Sequence, residues 1–220
     1  MSHFKPSITC GHIKKTKLWL IDMDDTLYSA SAGMFKQIDT AMTRYIQENL
    51  GLDPEQANEL RLRYWIKYGV TYYGLWKYHN IDPHEFLTAT HQCVDTSKVI
   101  TTGDTARALA KLPGTKVLFT NAPRCFADKI LTQLNLSSSF NAKYCAEDMR
   151  VFGHWCPKPS IQMFRKISSQ FNIRPADICL IDDGLNNLKV AKRLGLQTVL
   201  CKGWHHHGLS VSRSLSLIHI

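Results

Sequence analysis

The chain has 220 residues, 44% of them hydrophobic, which is enough to bury a sizeable core as one domain or as one domain with an insertion. No run reaches the ~18 consecutive apolar residues of a membrane span, and Met1-Ser2-His3-Phe4-Lys5-Pro6 lacks the apolar centre of a signal peptide, so a cytoplasmic protein without membrane partners is expected. A formal charge of +9 attracts anions, phosphate esters and nucleic acid alike, but only Lys14, Lys15 and Lys17 cluster, so a solvated basic surface is preferred to a nucleic-acid site.

Residues 1–15 read as a loosely held arm. The apolar run Leu18-Trp19-Leu20-Ile21 then predicts a buried strand over about 16–22, and Asp22-Met23-Asp24-Asp25-Thr26 follows at its C-terminal end, where open α/β sheets place ligands. Residues two apart on an extended segment point the same way, so Asp22 and Asp24 are expected to face one substrate. Adjacent carboxylates repel and need a cation or a shared proton. An Asp-rich run after a strand is also compatible with a plain turn.

The next convincing strand comes only at 116–120, and the interval reads helical. Met34, Phe35, Ile38, Ala41, Met42, Tyr45 and Ile46 recur at helical spacing, with Gly51 as a stop. Asp53-Pro54 and Asp82-Pro83 each start a further helix, so an all-helical insertion over 30–98 is expected. It carries Tyr64, Trp65, Tyr68, Tyr72, Tyr73, Trp76 and Tyr78, whose rings serve either as its own core or as stacking surfaces for a base.

Beyond the insertion, helices and strands alternate. A helix near 102–112 precedes the strand at 116–120, which ends in Thr120-Asn121-Ala122-Pro123. Arg124–Asn135 reads as a helix, 141–144 as a short strand, and Ser160 as the start of another helix just after Pro157-Lys158-Pro159. A strand at 177–181 ends in Asp182-Asp183-Gly184, and a helix over 185–194 and a strand over 197–201 complete the series. The alternation implies a Rossmann-like, doubly wound parallel sheet with helices on both faces. The Trp204-His205-His206-His207 run and the Ser-rich end, residues 203–220, fit neither the sheet nor the insertion and read as a solvated tail. Seven scattered cysteines, an odd number, suit reduced thiols. Cys10/His12, His154/Cys156 and Cys201/His205 lack any Cys-x-x-Cys companion, so a structural zinc site is not expected.

The ordered set Asp22-x-Asp24-x-Thr26, Thr120, Lys158 and Asp182-Asp183 resembles the haloacid dehalogenase superfamily of phosphohydrolases over residues 16–202. Asp22 to Gln37, Thr120–Pro123, Pro157–Pro159 and Asp182 through Asn187 look more narrowly like its pyrimidine 5′-nucleotidase branch. The resemblance implies a core domain of 16–29 plus 99–202 with a helical cap over 30–98. It implies Asp22 as nucleophile, Asp24 as general acid and base, and Thr120, Asn121, Ala122 and Lys158 as contacts of the phosphoryl group. The Asp-x-Asp register leaves Asp25 facing the loop, and Ala30–Phe35 falls where the superfamily has a flap that gates solvent. Magnesium would be held by the carboxylates of Asp22 and Asp182 and the backbone carbonyl of Asp24, with Asp183 supporting it or pairing with Lys158, and Asn187 behind them. The expected partner is a small phosphorylated molecule, a nucleotide first. A sugar phosphate, phosphoglycolate, or a non-catalytic nucleic-acid- or ligand-binding role for the fold are the alternatives.

Overall fold

Alternating apolar side chains in short extended runs make the sheet, and their two faces make two cores. In the computed structural model, which describes residues 15–97, 99, 105–201 and 216–218, the strands are β1 (Leu18–Ile21), β2 (Thr115–Phe119), β3 (Ala142–Tyr144), β4 (Arg150–Val151), β5 (His154–Trp155), β6 (Ile178–Asp182), β7 (Gln197–Cys201) and β8 (Ser216–Ile218). All but β4 and β5 form one sheet in the order β3-β2-β1-β6-β7-β8, every pair parallel. Trp19 and Ile21 join Leu118, Cys179, Ile181 and Val199 in one buried cluster, while Leu18 and Leu20 join Val117, Phe119, Ile178 and Leu180 in another. Period-two alternation with both faces apolar is what a sheet covered on both sides demands.

The helices are α1 (Met34–Leu50), α2 (Pro54–Tyr68), α3 (Thr71–His79), α4 (Pro83–Gln92), α5 (Thr105–Lys111), α6 (Arg124–Gln133), α7 (Ile161–Gln170) and α8 (Leu185–Arg193). Leu109 of α5 and Phe126, Ile130 and Leu131 of α6 cover one face of the sheet. Met163, Phe164 and Ile167 of α7 and Leu188 and Ala191 of α8 cover the other, so the doubly wound α/β fold is as expected. Strand β1 is the switch point: its outgoing chain leads to β2 on one side, while β6, paired to its other edge, leads away to β7. A crevice opens at the C-terminal ends of such a strand pair.

Helices α1–α4 lie between β1 and β2 and share a third apolar cluster, which includes Ile46, Leu60, Tyr64, Tyr72, Leu75 and Phe86. Asp53 caps α2 through a capping box with Gln56, and Asp82 caps α4 by accepting from the amides of His84 and Glu85, so both proline-marked starts fall where expected. The insertion holds four helices, because Gly69, left-handed at φ 78°, ends α2 and lets α3 turn back across it. Met34 and Ile38, at the start of α1, belong to the sheet-face cluster and anchor the helices to the core.

One element departs from the sequence reading. β4 and β5 form a hairpin through Phe152 and Gly153, both at positive φ, just before Lys158. Of the tail expected over 203–220 the described residues are 216–218, whose backbone extends the sheet as β8, parallel to β7. The arm over 1–14, residues 102–104 of the helix expected at 102–112, and the Trp204–His207 run lie outside the described residues. No described helix is long and apolar enough to cross a membrane.

Candidate active site

The C-terminal ends of β1, β2 and β6 bring the predicted residues together. Asp22 follows β1 and continues its ladder, donating its amide to the Ile181 carbonyl at 2.9 Å, which fixes it beside the end of β6. Lys158, only 3% exposed, extends its Nζ between two carboxylates, 2.5 Å from Asp22 Oδ1 and 3.0 Å from Asp182 Oδ2. The ring of Phe119 lies 5.4 Å from the ammonium, within range of a cation–π contact. Asp182 is fully buried, and its other oxygen accepts the Gly184 amide and Asn187 Nδ2, both at 2.8 Å. Asn187 thus stands directly behind Asp182.

Asp22, Asp182 and Asp183 bring carboxylate oxygens within 4.8 Å of one another. Three hard oxygen donors around one buried ammonium leave excess negative charge, the donor chemistry an oxygen-ligating divalent cation requires. Of the two pairings open to Lys158, its partner at this end is Asp182, and Asp183 sits with the carboxylate cluster instead.

Burial pushes the Asp22 carboxyl well above the usual carboxylate range; Lys158 opposes this, while Asp182, Asp183 and Asp24 add to it. For Lys158, burial works against the charge, but Asp182 and Asp22 outweigh it, so Lys158 stays an ammonium above the ordinary lysine range. Burial, with Asp182 next, raises Asp183 to about 7. Asp24 is raised to about 6, chiefly by burial, against the hydrogen bond from Tyr28 and the pull of Lys158. A carboxyl in that range both gives and takes protons near neutrality.

The Asp24 carboxylate is not in the metal-like cluster. It turns the other way, accepts a short hydrogen bond from Tyr28 Oη, and lines a cavity of about 380 Å³ beneath helices α1, α2 and α4. Tyr28 is fully buried, and burial, followed by Asp24, holds its phenol above the ordinary tyrosine range, so it stays a donor. Sequence reasoning passed over Tyr28, since its spacing from Asp24 carries no signal until the turn between them is seen. Thr26 Oγ1 donates to Asp22 Oδ2 at 3.3 Å and helps fix that carboxylate. Asp25 faces the loop as expected: at φ 53° its carboxylate accepts from the amide (3.1 Å) and hydroxyl (2.8 Å) of Ser31, pinning the segment over 30–35 expected to be a flap.

At the end of β2, Thr120 is 1% exposed and its amide donates to the Tyr144 carbonyl. The Ala122 amide, expected to meet an anion, donates instead to Thr120 Oγ1 at 3.0 Å, which leaves the hydroxyl proton free to point elsewhere. Asn121 has a second task that its motif did not reveal: its side chain grips the Lys158 backbone both ways, Oδ1 accepting from Lys158 N at 2.9 Å and Nδ2 donating to Lys158 O at 3.2 Å. The first amide of α6, on Arg124, is taken by the Glu147 carboxylate at 3.0 and 3.1 Å, an anion placed at the positive end of the helix. Glu147 comes from the loop after β3 and could not be found from spacing. Of the cap aromatics, Trp65 and Tyr72 line the cavity. Tyr64, Tyr68, Tyr73, Trp76 and Tyr78 pack on one another, as in the parallel stack of Tyr64 and Tyr78 at 5.9 Å.

A family of haloacid dehalogenase-like hydrolases matches residues 16–195. The chain is 24% identical over 197 residues to phosphate metabolism protein 8 of Saccharomyces cerevisiae, covering 84% of this chain but 61% of that protein, so it spans about three fifths of the length of that relative. Among solved structures, a HAD phosphatase from Thermococcus onnurineus aligns with a TM-score of 0.59 at 16% identity over 92% of each chain. The magnesium-bound YfnB HAD-hydrolase of Bacillus subtilis aligns at 0.54 with 16% identity, over 86% of this chain and 87% of that one. The L-2-haloacid dehalogenase of Xanthobacter autotrophicus aligns at 0.53 with 16% identity, over 84% and 77%. At these identities the structures speak to the fold, and the chemistry rests on this chain's own residues.

Proposed function

The chain belongs to the haloacid dehalogenase-like hydrolases, and from that premise we propose that it is a magnesium-dependent phosphomonoesterase whose substrate is a pyrimidine nucleoside 5′-monophosphate. One observation carries the reading: Lys158 bridges Asp22 and Asp182 in the switch-point crevice, while Asp24 opens into the cavity alongside. One carboxylate is thereby charge-balanced beside the crevice, which suits a nucleophile, and a second, raised to about 6, lines the adjoining cavity, which suits an acid for the leaving group.

In this scheme Asp22 attacks phosphorus in line with the ester bond, which breaks as Asp24 gives its proton to the leaving alkoxide. Asp24, now a carboxylate, takes a proton from water as the water attacks the aspartyl-phosphate, releasing phosphate and restoring Asp22. Lys158 offsets charge on the phosphoryl oxygens, and the Thr120 hydroxyl donates to one of them. The carboxylates of Asp22 and Asp182 and the carbonyl of Asp24 would hold magnesium, with Asp183 and Asn187 supporting. Bound there, the ion adds neutralisation of phosphoryl charge. In this reading residues 16–29 and 99–202 carry the chemistry and the cap over 30–98 selects the leaving group.

The test is phosphate release from UMP, AMP, glucose 6-phosphate and phosphoglycolate under one set of conditions, with magnesium and with excess chelator. Base stacking worth about 1–3 kcal/mol corresponds to a preference of roughly five- to 150-fold for UMP over base-free esters. Activity should vanish in chelator. A base-free ester favoured by tenfold or more would remove the nucleotide reading, and full activity in chelator would remove the metal.

A further inference from the structure

The three aspartates of the turn after β1 each have their own donor. Asp22 takes Lys158 Nζ and the Thr26 hydroxyl, and Asp25 takes the amide and hydroxyl of Ser31. Asp24 takes Tyr28 Oη at its Oδ1, and among the described residues no other group donates to it. Its second oxygen, Oδ2, is thus left without a partner among them, although the half-buried side chain lines the cavity of about 380 Å³ beside the crevice. A carboxylate oxygen left without a donor in a folded interior calls for a partner from outside the chain.

The turn holds Tyr28 in place beneath Asp24. Leu27 donates its amide to the Met23 carbonyl at 2.9 Å, and Asp25 at φ 53° reverses the chain. Residue 28 therefore comes back beside residue 24, and the two pair as an isolated parallel bridge. The Tyr28 ring is fully buried in the sheet-face cluster with Met23, Leu27 and Ala30, where close packing leaves it little room to swing away. An ionised carboxylate can only accept, so the phenol is the donor. Tyr28 does not line the cavity, so whatever it does there it does through Asp24.

We propose that Tyr28 is the positioning residue of Asp24: by occupying Oδ1 it leaves Oδ2 as the one oxygen that exchanges a proton with the substrate. The proposal rests on the phosphatase reading above and deepens it. As the ester bond to phosphorus breaks, the proton on Oδ2 passes to the leaving oxygen, and the Tyr28 O–H stabilises the carboxylate left behind. As water attacks the aspartyl-phosphate, Oδ2 takes one of its protons and the pair returns to its starting state. Tyr28 keeps its own proton throughout. Without the hydroxyl nothing fixes the Asp24 carboxyl about its side-chain torsions, and its proton is no longer held toward the leaving group.

The test compares esters that need an acid with one that does not. 4-Nitrophenolate leaves phosphorus as a stable anion, whereas the alkoxide of UMP or glucose 6-phosphate leaves only with a proton. For each, kcat/KM covers the steps up to the aspartyl-phosphate, so the later use of Asp24 as base does not enter. Tyr28→Phe and Tyr28→Leu pack differently but lack the hydroxyl alike. In both, the ratio of kcat/KM for 4-nitrophenyl phosphate to that for each alkyl ester should rise about tenfold, and in Asp24→Asn about a hundredfold. In the Asp24→Asn background Tyr28→Phe should leave the ratio unmoved, because no acid remains to be positioned. A fold merely weakened by substitution lowers all esters alike and leaves the ratio in place.

A ratio unmoved in either Tyr28 variant, a further rise in the double variant, or loss of the fold in both Tyr28 variants would overturn the proposal. So would faster turnover of UMP in Tyr28→Phe, which would make the hydrogen bond a latch that holds Asp24 out of the reaction. A parent that releases phosphate from no ester would bring down the phosphatase reading and this proposal with it. A parent active on all three esters, with the ratio unmoved in the variants, brings down this proposal alone.

Discussion

Replacing Lys158 with methionine tests the centre of the site, because it keeps much of the side-chain volume and removes one charge. Its ammonium is buried and holds Asp22 at 2.5 Å and Asp182 at 3.0 Å. Removing one partner of a buried ion pair costs about 3–5 kcal/mol, since the remaining charge stays buried and unpaired. For a chain of this size each kcal/mol moves Tm by roughly 2–4 °C, so the metal-free variant should melt about 6–20 °C below the parent. The deficit should depend on pH with a definite sign. Asp22 already has a raised folded pKa, chiefly from burial, and losing Lys158 removes the contribution that opposes it. The folded variant then holds a proton that the unfolded chain gives up above about pH 4, so its stability falls as pH rises and the deficit narrows toward acid. Magnesium should recover part of the loss, about 2.7 kcal/mol at a hundred times its Kd, by bringing positive charge back to the same carboxylates. The assay is thermal melting of both proteins from pH 4.5 to 8, with and without magnesium, alongside phosphate release, where kcat should drop on the order of 10²–10³-fold. An unchanged melting temperature, or a deficit flat across that range, would refute the assignment of Lys158 as the bridge between the two carboxylates.

Three further outcomes are expected. Asp22→Asn should lower kcat by several orders of magnitude while Asp25→Asn, which keeps an acceptor for Ser31, retains most activity, as steady-state kinetics would show; equal losses would mean that the motif register is misassigned. Burial lowers His91 to about 4, so the folded state binds fewer protons than the unfolded chain between there and about 6.5, and stability is lost as pH falls through that window. His91→Phe, which preserves the ring contact with Phe126, should be less sensitive over that range by up to about 3 kcal/mol in denaturant titrations, and identical pH profiles would count against the neutral buried imidazole. Gly74→Ala would bring a Cβ within 2.2 Å of Tyr64 Cγ where α3 crosses α2, so the helix-propensity gain of about 1 kcal/mol should be outweighed by overpacking of about 1–3 kcal/mol. A rise in melting temperature would show that Tyr64 moves aside freely.

What the sequence alone determined was local. Leu18–Ile21, Val117–Phe119 and Ile178–Ile181 announce strands by unbroken apolar runs, and the polar residues that follow each mark the edge where chemistry gathers. Asp53, Asp82 and Ser160 mark helix starts because a capping side chain bonds to amides only two or three residues ahead. These signals lie within a few residues of the structure they specify. The tertiary structure decided everything that depends on which distant groups meet. Lys158 bonds to Asp22 across 136 positions, so its choice of Asp182 over Asp183 depends on how β6 sits beside β1. The grip of Asn121 on Lys158 and the bond of Glu147 to the Arg124 amide also arise from strand ends converging. Aromatic density in the cap was visible in the sequence, but not that Trp65 and Tyr72 line the cavity while their neighbours pack together. A side chain's type follows from its codon alone, whereas whether it is a wall, a filler or a ligand depends on the burial and partners that the whole fold brings to it.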